Sequence, residues 1–86
     1  MPLKPSADIV ARHLGDSAVI IRLTTNKIYE LNRTGTLCWD LLETGSSVDQ
    51  IIEVLSKEFE GQTDALRADV ESLLTRLTEE GLVTEQ

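Results

Sequence analysis

The chain has 86 residues, 41% of them hydrophobic and 27% charged, a composition that allows one small globular domain and excludes a disordered chain. Its formal charge of −7 is uneven: residues 1–42 hold five basic and four acidic side chains, residues 43–86 three and eleven. An acidic half repels phosphate backbones, which argues against nucleic acid and fits a protein or peptide partner, although solvated helix faces account for most of the individual acids.

No apolar run reaches the length of a membrane span, and the N-terminal MPLKPSAD lacks the apolar stretch of a secretory signal. The single cysteine, Cys38, has no internal disulfide partner. Together these features lead to the expectation of a cytoplasmic protein without membrane contact.

Residues 1–7 contain Pro2 and Pro5 and read as a flexible arm, followed by a single domain over 8–84. Ile9–Leu14 is a first strand of weak alternation. Gly15-Asp16-Ser17 supplies turn chemistry, and Ala18–Leu23 is a β-branched, apolar second strand. After the turn Thr24-Thr25-Asn26 comes a third strand, Lys27–Leu31. It sets Tyr29 and Leu31 on one face and Ile28 and Glu30 on the other. The period then changes to helical. Thr34–Leu42 carries Leu37, Cys38, Leu41 and Leu42, with Trp39 as a core anchor and Asn32 or Thr34 as cap; Gly45 closes it.

Ser47-Val48-Asp49-Gln50 fits a capping box for a second helix, with a stripe of Val48, Ile51, Ile52, Leu55 and Phe59 and an end at Gly61. Thr63-Asp64 can cap a third. Leu66, Val70, Leu73, Leu74 and Leu77 line its face, Gly81 follows as its C′ residue, and Leu82-Val83 folds back onto the core. The fold class is α+β, winged-helix-like: a three-stranded antiparallel sheet followed by three helices.

No cluster with catalytic or metal-ligand spacing accompanies these elements. His13 is the only histidine, and Cys38 sits on an apolar helix face without a histidine partner. The glycines at 35, 45 and 61 stand singly and form no phosphate loop. No enzyme, cofactor or metal site is expected. The helix pair after Thr44 invites a winged-helix DNA-binding regulator as an alternative. The last helix opens Thr63-Asp64-Ala65-Leu66-Arg67-Ala68-Asp69, whose acids oppose it.

The stretch "YELNRTGTLCWDLLETGSSVDQIIEVLSKEF", followed by "LRADVESLLTRLTEEGLV", resembles the PqqD-like family, the peptide-recognition domains of ribosomally made natural-product pathways. The resemblance covers about residues 18 to 83. It rests on Leu31-Asn32-x-x-Gly35, Trp39 four residues later, Gly45, and Leu-x-x-x-Gly-Leu-Val from Leu77 to Val83. Within the family the chain looks most like the stand-alone leader-binding proteins of lasso-peptide clusters, and less closely like stand-alone PqqD.

The resemblance implies that a precursor's leader segment adds as a strand to the third strand and sends side chains into pockets beside the last helix. The precursor is then presented to a separate enzyme, a lasso-type leader peptidase or, in PqqD-type systems, a radical enzyme. On this reading Lys27, Ile28, Tyr29, Glu30 and Leu31 supply the edge, and Arg67, Asp69, Val70, Leu73 and Leu74 the helix side. Tyr29 and Leu31 could also be core residues of the sheet, Leu31 more readily than Tyr29. Asp69 and Glu71 would favour a basic leader.

Overall fold

The computed structural model describes residues 3–59 and 63–85. In chain order these form β1 (Leu3–Pro5), β2 (Ile9–Leu14), β3 (Ser17–Arg22), β4 (Lys27–Leu31), α1 (Arg33–Glu43), α2 (Val48–Glu58), α3 (Thr63–Glu79) and β5 (Val83–Glu85). The expected α+β class holds: an antiparallel sheet of order β2-β3-β4 is followed by three helices. The segment read from sequence as a flexible arm contains a strand, because Leu3–Pro5 pairs antiparallel with Val83–Glu85. Ser6 reinforces the pairing: its amide donates to the Leu82 carbonyl and its hydroxyl to that of Gly81. A three-residue strand has no stability of its own, so its partner 80 residues later was not legible locally.

Turn chemistry fixes the register of the main sheet. Gly15 has φ +66° and Asp16 follows with negative φ, which is the type II′ turn that suits a two-residue hairpin. It closes the Leu14–Ser17 pair and sets Val10 opposite Ile21 and Ala11 opposite Ile20. Asn26, at φ 58°, ends the next loop, a left-handed conformation that asparagine tolerates better than other side chains. Ile20 then faces Tyr29, and Ala18 faces Leu31.

The helices are bounded much as their residues require. The Asn32 side chain accepts the Gly35 amide at 2.8 Å and starts α1. Ser47 and Gln50 form the reciprocal capping box of α2. That helix ends at Glu58 with Phe59 as its cap; Gly61, expected to end it, lies outside the described residues. Both Gly45 and Gly81 close Schellman motifs. The Ser46 amide donates to the Leu41 carbonyl, and the Leu82 amide to that of Leu77. At Gly81 the conformation (φ +75°) calls for glycine, and an added Cβ would also lie 2.7 Å from the Arg22 guanidinium and displace it.

The core lies between the inner sheet face and the helices: Ile20, Trp39, Leu42, Ile51, Leu55, Val70, Leu77, Leu82 and Val83 are all buried. Cys38 is buried with them, and burial pushes its thiol up to about 11, so it is neutral packing material. Arg22 ties the sheet to the end of α3. Its Nη1 donates to the Glu80 carbonyl at 2.9 Å, and its Nε to Asp8 at 3.3 Å. Among the described residues no helix is long and apolar enough to cross a membrane.

Candidate functional site

Among the described residues β4 pairs with β3 on one side only, so its other edge is open. Ladder parity decides which residues serve that edge. The Leu23 amide donates to the Asp8 carbonyl, which makes Asp8–Leu23 a hydrogen-bonded pair and puts the backbone groups of Ser17, Val19 and Ile21 toward β2. Those of Ala18, Ile20 and Arg22 therefore face β4. Their partners Leu31, Tyr29 and Lys27 bond inward, and the N–H and C=O groups of Ile28 and Glu30 point out of the sheet.

Beside this edge runs a groove between β4 and α3. Its larger part, about 270 Å³, lies between Glu30, Leu31, Asn32 and the start of α1 on one side and Asp69, Val70, Leu73 and Arg76 on the other. A smaller depression of about 40 Å³ continues it toward the other end of β4, walled by Tyr29, Leu73, Leu77, Glu80 and Leu82. Tyr29 pairs with Glu80 at one end while Asn32 and Asp69 share the other, so β4 and α3 run in opposite directions. The Tyr29 hydroxyl donates to Glu80 Oε2 at 2.9 Å. Partial burial, then this bond to a carboxylate, raises the Tyr29 pKa and keeps the phenol protonated.

The residues singled out in the sequence are only partly brought together. Tyr29, Glu30, Leu31, Asp69, Val70 and Leu73 line the groove. Leu31 and Val70 are at once core and groove wall, which explains why pattern alone left Leu31 divided between the two. Lys27 and Ile28 lie on the same strand without lining the groove. Lys27 is exposed, and the Ile28 side chain stands on the outer sheet face, 65% exposed.

Arg67 and Leu74 fall elsewhere. Arg67 reaches Asp49 on α2 at 3.4 Å and Glu71 at 3.9 Å. Leu74 is buried and borders a different, open depression with Leu3, Val48 and Thr78. Successive helical residues turn by about 100°, so Leu73 and Leu74 sit on opposite borders of the apolar stripe of α3 and face different depressions. Sequence reasoning missed Arg76 and Glu80. Both follow Asp69 and Leu73 on one stripe at spacings of three and four, the signal that could have found them.

A profile of the PqqD family, coenzyme PQQ synthesis protein D, matches residues 17–83. The chain belongs to this family. The PqqD profile thus spans β3, β4, all three helices and the first residue of β5, and leaves β1 and β2 outside the match. Among solved structures, that of TbiB1 in complex with the TbiA(beta) leader peptide is similar at 25% identity with a TM-score of 0.90, over 96% of each chain. A lasso peptide synthetase B1 complexed with the leader peptide shares the fold at 21% identity and a TM-score of 0.89, over 99% of this chain and 100% of that one. No curated protein sequence matches the chain.

Proposed function

We propose that this PqqD-family protein is a non-catalytic recognition module. It binds the leader segment of a ribosomally synthesised precursor by strand addition to β4 and presents it to a separate maturation enzyme, a lasso-type leader peptidase. The observation that carries this reading is the open β4 edge lying along the β4–α3 groove, in a fold that the leader-bound TbiB1 structure shares.

The energetics support a division of labour between edge and groove. Ile28 and Glu30 each offer one donor and one acceptor, hence four ladder hydrogen bonds, worth about 4 kcal/mol together at about 1 kcal/mol each. That corresponds to about millimolar affinity before any ordering cost. Micromolar binding needs about twice as much, so side chains in the groove must supply at least the other half and, with it, selectivity. Leu31, Leu73 and Leu77 provide apolar walls for this, and Tyr29 a large surface at low entropic cost.

The test is fluorescence anisotropy with a labelled leader peptide from the precursor encoded beside this chain. The reading expects a Kd in the micromolar range or tighter. It is refuted if that leader shows no saturable binding to folded protein.

A further inference from the structure

We infer that Arg76 is a specificity-determining residue of the groove, selecting a leader that carries an aspartate or glutamate at an inward-facing position. The inference rests on the strand-addition reading above. Arg76 is the single basic residue lining either part of the groove, and it borders both parts. It makes no ion pair among the described residues, although its half of the chain holds eleven acids and three basic residues. Arg67 and Lys57, the other two cations of that half, are both paired. An unpaired guanidinium beside an open strand edge can take a carboxylate in a bidentate fork without losing an existing partner.

The acids nearest in the groove do not compete for that place. The Glu30 side chain alternates with Tyr29 and Leu31, so it stands on the outer sheet face while its backbone borders the groove. Glu80 turns Oε2 to the Tyr29 hydroxyl and forms no ion pair with Arg76. Asp69 lies seven residues before Arg76, about 10 Å along the helix axis, close to the screening length at physiological salt. Glu71, expected from sequence to attract a basic leader, faces Arg67 instead.

Geometry also gives the spacing. Inward side chains of an added strand recur every two residues, about 6.6 Å apart. The smaller depression has leucines at 73, 77 and 82 for walls and suits a compact apolar side chain. The larger part, with Asn32, Thr34 and Arg76, then receives the side chain two residues away, where the acid belongs.

The test selects a displayed library of random 12-residue peptides on the wild-type protein, R76E and R76K, keeping clones that lose binding to E30P, whose blocked edge marks strand addition. Wild type and R76K should enrich Asp or Glu two residues from an apolar position, and R76E should enrich Lys or Arg there. In synthetic peptides, replacing that acid by its amide should weaken wild-type binding about fivefold, the scale of one partly exposed ion pair, and leave R76E unharmed. Edge-dependent clones with no charge preference, or the same preference on R76E, overturn the assignment of Arg76 and leave strand addition standing. Clones that bind E30P as well as wild type, or no clones at all, overturn strand addition and this inference with it.

Discussion

Glu30→Pro isolates the open edge from the rest of the sheet. The substitution removes the Glu30 N–H, which points away from β3, and puts a ring where the added strand would lie. Proline is tolerated on edge strands when its nitrogen faces outward, so the fold should lose less than about 1 kcal/mol and melt within about 8 °C of wild type. The peptide, by contrast, loses a donor at a desolvated carbonyl. That costs about 1–3 kcal/mol, a factor of about 5 to 150 in affinity. Tyr29→Pro is the matched control. The Tyr29 N–H belongs to the β3–β4 ladder opposite Ile20, so this neighbour should unfold the sheet. Circular dichroism melts and leader titration of the two variants provide the assay. A folded E30P that binds within twofold of wild type, or a Y29P that melts like wild type, would refute the ladder parity and the edge assignment built on it.

Leu74→Asp should unfold the protein, because an unpaired carboxylate replacing a buried leucine costs about 4 kcal/mol in a domain whose total stability is of the same order; urea titration reads this directly. Arg67→Ala should leave leader affinity within twofold and cost at most about 1 kcal/mol, since its ion pairs with Asp49 and Glu71 are half-exposed. The Asp8 carboxyl is held below its ordinary value of 3.8, first by the Thr24 hydroxyl and then by Arg22. Its contribution is therefore complete above that value and is lost as pH falls through the lower folded one. A D8N variant should flatten this acid limb of a stability–pH curve.

The fold was legible wherever local chemistry decides it. Gly15, Asn32, the Ser47–Gln50 box, Gly45 and Gly81 mark boundaries that the structure reproduces within a residue or two. What escaped depends on contacts distant in sequence. The β1–β5 pair needs both chain ends together. The groove was half legible: alternation put Tyr29 and Leu31 inward, but only the register with β3 reveals that Ile28 and Glu30 own the free backbone groups. On α3, apolar spacing alone could not distinguish Leu73 from Leu74. The stripe on α3 is wide, and its division between α2 and β4 is set by tertiary packing. In sequence Arg76 is one cation on an acidic helix, and its position next to the open edge is what gives it meaning.

Amide hydrogen exchange, followed residue by residue with and without the leader peptide, tests strand addition to β4 most directly. In the free protein the Tyr29 and Leu31 amides should already be protected by the β3 ladder, and those of Ile28 and Glu30 should exchange fast. Leader binding should slow Ile28 and Glu30 together, leaving the outward amides of Ile9, Ala11 and His13 on the opposite edge unchanged. Protection that appears at Ile9, Ala11 and His13 instead, or at neither edge while the leader is bound, would contradict the account.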